Sequence, residues 1–438
     1  MRFHIITYGC QMNVGDSGWL CEALRRAGHE LSSLDNAQLV FINTCSVREK
    51  PERKVIATIR RIEVECRNLQ LIGVLGCVAQ QLGEGLFAIS PHVMLVAGGD
   101  HIDQAPHALE DILLNGGRLC LRDFDAVYRE RPVYAQAGPS RSASVNIMQG
   151  CDNFCSYCIV PFTRGRQKSR RLGAVIDECE AWLQHGAAEI TLLGQNVNAW
   201  GKDLEFADGT FAGLLRRVSA LPGLERLRFV TPHPRDLSAD IIQCFAELPN
   251  LSPRLHLPLQ SGSDNILRVM RRRHNRADYI ALIESLRKAN PDLAFSTDLI
   301  VGFPGETEAD FQQTIDLVQK CGFMSSFSFC YSDRPGTRAS LMPFKVDRDT
   351  ALDRLGRLQD VQDNLTRQWL NKRLGQRAKL LLEAPSSRGA PGSWQGRDAY
   401  GVCVNVELPP GRDYRGVFIE VEIVEAKKHS LAGSYCSG

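Results

Sequence analysis

Short β-rich runs followed by helix-period segments fill most of this chain, and that alternation limits its fold more than any other feature. Residues 3–7, 39–43, 71–75 and 93–96 are apolar, β-prone runs, and amphipathic stretches ending near Arg26 and Cys66 separate the first three. The rhythm resumes at 145–148, 190–193, 226–230, 254–257, 295–301 and 325–330. Strands alternating with helices predict parallel sheets with crossover helices, so the fold class is α/β. The first set predicts an N-terminal parallel α/β sheet domain over 1–117. The second set predicts a partial (β/α)6 barrel, open on one side, over 137–371. Residues 117–144, with Pro132, Pro139 and serine clusters, read as the connection.

The remainder has a different character. Residues 349–374 read as one packing helix with an apolar stripe through Leu352, Leu355, Leu358, Val361, Leu365 and Trp369. From 375 to 438 apolar and polar residues alternate, as in 401–406 and 417–423, which predicts a small antiparallel β-barrel. Residues 386–397 read as a polar Gly/Pro/Ser-rich loop between its strands.

At 438 residues two or three domains are expected. The net charge of +2 means that any affinity for nucleic acid must come from local patches. Two candidates stand out: 164–171, with Arg164, Arg166, Lys168, Arg170 and Arg171, and the set Arg268, Arg271, Arg272, Arg273 and Arg276. A solvated helix face is the plain alternative for the second. The chain opens directly into a strand-like run, where no signal peptide fits. Its most apolar stretch, 71–99, is broken by Gln80, Gln81, several glycines and Pro91, so no membrane span is expected. An odd count of 15 cysteines without a secretion signal argues for the reducing cytoplasm and for metal over disulfides.

Three of those cysteines, Cys151, Cys155 and Cys158, have the spacing C-x3-C-x2-C and follow the first barrel strand, at the face where barrel chemistry sits. Three thiolates so close can hold three irons of a [4Fe–4S] cube and leave the fourth iron open to a small molecule. Unrelated core cysteines are one alternative. Zinc is another, but it needs a fourth Cys or His nearby, and none follows Cys158 before His185. Cys10, Cys45 and Cys77 each stand just past the end of a separate N-terminal strand. In a parallel sheet those ends share one edge, so three distant cysteines converge there as a second candidate metal site. Three buried cysteines in βα loops are the alternative.

With these motifs the chain resembles the radical S-adenosylmethionine methylthiotransferase family. Cys151-x3-Cys155-x2-Cys158 with Tyr157 is similar to the radical signature. Tyr8-Gly9-Cys10-Gln11-Met12-Asn13, Asn43-Thr44-Cys45 and Gly76-Cys77 resemble the family's N-terminal motifs. The terminal barrel resembles a TRAM domain, an RNA-binding module. The run from Tyr8 to Asn13, Gly194-Gln195-Asn196-Val197-Asn198 and Pro161-Phe162-Thr163-Arg164-Gly165-Arg166 resemble the MiaB type, which acts on isopentenyladenosine in tRNA. Gln149 stands where many relatives have Glu.

The resemblance implies two [4Fe–4S] clusters, one on Cys151, Cys155 and Cys158 and an auxiliary one on Cys10, Cys45 and Cys77. It implies S-adenosylmethionine as cofactor and radical methylthiolation of adenine C2 in the tRNA anticodon stem-loop, giving 2-methylthio-N6-isopentenyladenosine. Gln195, Asn196, Ser169, Arg170, His256, Gln260 and Asp298 become candidate cofactor or substrate contacts, each with a structural alternative. A low-potential electron donor is required, the sulfur donor is open, and a cytoplasmic monomer is expected. The alternatives are a methylthiotransferase acting on threonylcarbamoyladenosine or a ribosomal-protein aspartate, and a non-catalytic iron–sulfur RNA-binding protein. The resemblance also implies that the N-terminal sheet edge covers the open face of the barrel.

Overall fold

The computed structural model describes residues 1–46, 51–135, 141–204, 209–386 and 392–436. Parts of the expected connection (136–140) and of the polar loop (387–391) lie outside the described residues.

The N-terminal unit is a six-stranded, all-parallel sheet. Its strands are β1 (Arg2–Thr7), β2 (Glu30–Leu31), β3 (Leu39–Thr44), β4 (Leu71–Gly76), β5 (Val93–Ala97) and β6 (Leu119–Leu121), in the order β2-β1-β3-β4-β5-β6. Every residue of β3 and β4 is buried, because helices cover both faces. One face packs Val40, Ile42 and Val74 against Val55, Ile59 and Ile62 of α2 (Pro51–Glu65). The other packs Phe3, Leu39 and Phe41 against α1 (Gln11–Arg26) and α4 (Ala105–Asn115). A short α3 (Cys77–Leu82) follows β4. Strand β6 falls in the segment read as a connection. Gly116 and Gly117, with φ of +71° and +89°, turn the chain back into the sheet there.

The central unit has two three-stranded parallel sheets: β7 (Ser142–Asn146), β10 (Glu189–Leu193) and β11 (Arg226–Phe229), then β12 (Arg254–His256), β13 (Ala294–Val301) and β14 (Ser325–Cys330). A parallel bridge, Leu227 to Leu251, joins them. The result is an open barrel with β7 and β14 at its two edges. Strands β8 (Met148–Gln149) and β9 (Lys168–Ser169) pair antiparallel at its top and pinch the cysteine loop between them. A one-turn α5 (Val160–Thr163) ends that loop. Outside lie α6 (Leu172–Gln184), α7 (Phe211–Ser219), α8 (Ala239–Glu247), α9 (Asp264–Val269), α10 (Arg276–Ala289) and α11 (Glu308–Cys321).

Along β13, Phe295, Leu299 and Val301 face those helices, and Ser296, Asp298 and Ile300 face the other way, into the lumen. The long α12 (Arg348–Asn371) closes the unit through buried Leu358 and an Arg354–Glu306 pair at 2.9 Å. Leu352, expected in its stripe, is 47 % exposed and does not pack.

The terminal unit is a closed barrel of β15 (Arg377–Pro385), β16 (Ser393–Arg397), β17 (Cys403–Glu407), β18 (Phe418–Ala426) and β19 (Leu431–Tyr435), in the order β15-β16-β17-β19-β18. Two findings correct the expectation. Ser393–Arg397 is a strand, and the β17–β19 pair is parallel while the other pairs are antiparallel. The barrel sits on the N-terminal ends of the central strands. Arg226 donates to the Arg397 and Lys379 carbonyls, Arg228 to that of Asp398 and Arg254 to that of Tyr400. Among the described residues no helix is long and apolar enough to cross a membrane.

Candidate functional site

Cys10, Cys45 and Cys77 meet at the C-terminal edge of the N-terminal sheet because each follows a neighbouring strand. Cys10 precedes the first turn of α1, Cys45 directly follows β3, and Cys77 opens α3. The surrounding motif residues interlock. Asn13 Nδ2 donates to Asn43 Oδ1 and to the Thr44 carbonyl, both at 2.8 Å, and Asn43 Nδ2 returns a bond to the Asn13 carbonyl at 2.9 Å. The Cys10 thiol donates to Asn13 Oδ1 at 3.1 Å. Gly9, at φ +123°, lies so close that a Cβ there would stand 2.3 Å from Cys45 Cβ. Cys45 and Cys77 are buried and Cys10 is exposed. A hydrogen bond with Cys45, aided by the Arg164 guanidinium, lowers the Cys10 thiol to about 6.

Arg164 belongs to the other unit, six residues beyond Cys158 in the run that follows the second cysteine set. It is buried, pairs with Asp16 of α1 at 3.3 Å and donates to the Cys77 sulfur. Burial alone would weaken its charge; Cys77, Asp16 and Cys10 more than offset that. The N-terminal sheet edge therefore lies against the cysteine-loop end of the barrel. Lys168 of β9 pairs with Asp100 at 2.5 Å, Gln149 also bonds Asp100, and Arg131 pairs with Asp16 at 2.8 Å. All these groups are at least mostly buried, where removing one partner is far costlier than at a surface.

The loop carrying Cys151, Cys155 and Cys158 starts at Gly150, whose φ of +79° and contact with the Arg166 carbonyl leave no room for a side chain. Asp152 holds Arg166 through two bonds, at 2.7 and 3.2 Å. Arg272 reaches in from the turn after α9. Its Nη1 lies 3.6 Å from Cys155 Sγ and 3.5 Å from the Tyr157 hydroxyl, and its Nη2 donates to the Pro258 carbonyl at 2.6 Å. Arg272 Nε is buried without a partner. Burial pushes the Cys151 thiol up to about 11 and the Cys158 thiol to about 12, and a thiolate at Cys155 adds to both.

The remaining candidates divide. Gln195 stands between the two units: its Oε1 accepts from Gly150 N at 2.6 Å and its Nε2 reaches Met12 Sδ. Asn196 donates to Asp236 at 2.8 Å, and its Oδ1 is buried and unpartnered. His256 and Asp298 face each other across the lumen side of β12 and β13 at 3.4 Å. Gln260 is buried at φ +75° and bridges to β13 through its backbone. Ser169 is tied to Asp203, and Arg170 to Glu130, Glu178 and the Asn146 carbonyl. Those bonds occupy the Ser169 and Arg170 side chains.

The sequence reading did not single out Arg164, Arg272, Asp16 or Asp100 for positions at the cysteines or between the units. Phe327 and Phe329, on β14 beside Asp298 and Ile300, were also missed. They are 53 % and 56 % exposed, and the Phe327 ring lies 6.0 Å from that of His256. Large aromatic side chains at alternate positions of an edge strand were the available signal.

Residues 2–98 match the uncharacterized protein family UPF0004, and residues 145–318 match the radical SAM superfamily. The chain is 53 % identical over 435 residues to a tRNA-2-methylthio-N(6)-dimethylallyladenosine synthase of Nitratidesulfovibrio vulgaris, covering 98 % of this chain and 97 % of that one. The chain belongs to that synthase family. A synthase of Lawsonia intracellularis is 49 % identical, with 98 % of each chain covered, and one of Syntrophotalea carbinolica is 39 % identical over 98 % and 99 %. Among solved structures, the radical S-adenosylmethionine methyltransferase TsrM from Kitasatospora setae, with cobalamin and a [4Fe–4S] cluster, has a TM-score of 0.54. It is 15 % identical and covers 90 % of this chain and 80 % of that one. That likeness concerns the fold.

Synthase-family membership brings S-adenosylmethionine and [4Fe–4S] chemistry. The residues fit such clusters. Each set offers three thiols, and each has a buried arginine donating to one of its sulfurs.

Proposed function

We propose that this chain inserts a methylthio group at C2 of N6-isopentenyladenosine beside the tRNA anticodon, giving 2-methylthio-N6-isopentenyladenosine. The observation that carries the reading is the near-complete coverage of the 53 % identical synthase together with two cysteine sets whose units meet at Arg164. An adenine C–H is too inert for acid–base activation. The two clusters with S-adenosylmethionine supply the electron, the radical chemistry and the sulfur transfer.

In this reading Cys151, Cys155 and Cys158 hold the radical cluster, and Cys10, Cys45 and Cys77 hold the auxiliary one. The protein's residues position and shield. Arg272 and Arg164 offset the negative charge of the thiolates in a water-poor site. Gln195 fixes the first barrel loop to the N-terminal unit. The free Asn196 Oδ1 is an acceptor available to the cofactor's ammonium group. His256 and Asp298 offer polar contacts on the lumen wall. Phe327 and Phe329 give an apolar face to an unstacked base carrying an isopentenyl chain. Gln260 holds the wall in shape, and Ser169 and Arg170 support the loop from behind. The reading includes a monomeric, cytoplasmic enzyme reduced by a low-potential donor.

Nucleoside mass spectrometry tests it. The chain is expressed in a bacterium that lacks its own tRNA methylthiotransferase and retains isopentenylation. Appearance of 2-methylthio-N6-isopentenyladenosine is the expected result. Unmodified isopentenyladenosine beside soluble, iron-loaded protein refutes it and turns the search to threonylcarbamoyladenosine and ribosomal protein.

A further inference from the structure

The structure sorts the second basic run into residues with separate tasks. Arg268 donates to Asn265 Oδ1, and Arg276 Nη1 donates to the carbonyls of Gly262 and Gln313. Arg272 is buried and points at the radical-cluster loop. Arg271 and Arg273, on either side of it, are exposed.

The backbone enforces this split. Arg271 and Arg273 have φ of +59° and +56°, in the left-handed region that few non-glycine residues adopt. The middle side chain is anchored by Cys155, Tyr157 and the Pro258 carbonyl. With Arg272 fixed inward, its neighbours are held outward on the rim of the barrel's C-terminal end. They are pre-set, so a ligand there does not have to order the turn first.

Among the described residues no carboxylate pairs with Arg271 or Arg273. Behind them, burial and the cations Arg272, His274, Arg235 and Arg273 hold His233 neutral, so the neighbouring imidazole is no counter-charge either. Several guanidinium groups concentrated on one strained turn repel one another, and an anion relieves that repulsion. The described contacts of the N-terminal unit with the barrel fall on the other half of the mouth, around β7 to β10. Those contacts leave the turn that carries Arg271 and Arg273 uncovered.

We propose that Arg271 and Arg273 form a two-point clamp for the phosphodiester backbone of the substrate RNA where it enters the barrel. The clamp rests on the reading of tRNA as substrate. It recognises phosphate, not sequence, and so positions the RNA without choosing the base.

The test is fluorescence anisotropy with the holoenzyme and a labelled anticodon stem-loop carrying isopentenyladenosine, titrated from low to moderate salt. Each phosphate contact on single-stranded RNA contributes roughly 0.7 to the slope of log affinity against log salt, so the Arg271→Ala, Arg273→Ala pair is expected to lower that slope by about 1.4. Affinity at low salt falls about tenfold or more, equally for modified and unmodified adenine. The Lys pair restores most of the slope, because lysine still meets phosphate as a point charge. Should the double Ala variant fail to load iron, single Arg271→Gln and Arg273→Gln variants each lose about half of the slope change.

Unchanged affinity and slope in iron-loaded variants overturn the clamp. So does normal RNA binding with slowed reduction by an acidic electron-donor protein, which would assign the rim to that partner. If the wild-type protein itself shows no salt-dependent binding of this RNA, the reading of tRNA as substrate fails along with the clamp. Salt-dependent wild-type binding with unaffected variants sinks the clamp alone.

Discussion

Arg164 Nη1 lies 3.3 Å from Asp16 Oδ2, joining the loop behind one cysteine set to the helix that begins at the other. Asp16 also accepts from Arg131 at 2.8 Å, so two buried cations depend on one carboxylate. Asp16→Asn removes the carboxylate that both guanidinium groups share. We expect a loss of about 3–5 kcal/mol in urea denaturation of the iron-free protein. A loss below about 1 kcal/mol would mean that water replaces the carboxylate and that the pair is a surface-like contact.

The proposed function gives the two cysteine sets separable duties. Cys77→Ala is expected to leave cleavage of S-adenosylmethionine intact while abolishing methylthio product. Cys155→Ala is expected to abolish both. Each variant should retain about four fewer irons per chain after reconstitution. Methylthio product from Cys77→Ala protein would refute the auxiliary role.

Gly9 makes the first triad possible. A Cβ at that position would overlap Cys45, and its φ of +123° disfavours any side chain. Gly9→Ala should cost about 1–3 kcal/mol and lower iron loading of the N-terminal set, seen as reduced iron content with the 151–158 cluster spectrum retained.

Glu189 gives the fold an acid limit. Burial would raise its pKa, but Arg228 and Arg226 more than offset that and hold it below the usual carboxylate range. A depressed folded-state pKa adds stability that is present above the unfolded value of about 4.3 and is lost as pH falls through the folded one. The same arginines grip the terminal barrel. In iron-free protein, the stability gap between wild type and Glu189→Gln should be widest near neutrality and close with acidification below about pH 4. A gap independent of pH would remove Glu189 from this role.

Phe329→Ala tests the lumen wall. Losing an apolar face for the isopentenyl chain should raise KM for isopentenylated RNA about tenfold and leave unmodified RNA binding unchanged. Equal effects on both RNAs would point to a general loosening of β14.

Much of the fold was legible because β3, β4 and β13 are buried and apolar enough to stand out from their surroundings. Leu119–Leu121 was hidden because three residues carry no period, and only the neighbouring β5 makes them a strand. Ser393–Arg397 contains Gly396 and polar residues; its strand state comes from pairing on both sides in a closed barrel. The cysteines were legible through spacing and through their places at strand ends. The inward turns of Arg164 and Arg272 were not, since an arginine is buried only when distant partners such as Asp16 and Cys155 meet it. Ser169 and Arg170 sit in a motif, yet their side chains are engaged by Asp203, Glu130 and Glu178, partners that sequence proximity does not reveal.

The terminal barrel occupies the end of the strands opposite the cysteine loops. Strand β13 has 8 residues, so at about 3.3 Å each the two ends are separated by roughly 26 Å. Nothing the size of a free nucleoside touches both ends at once, so the terminal barrel and the cysteine loops are held apart by the length of one rigid strand.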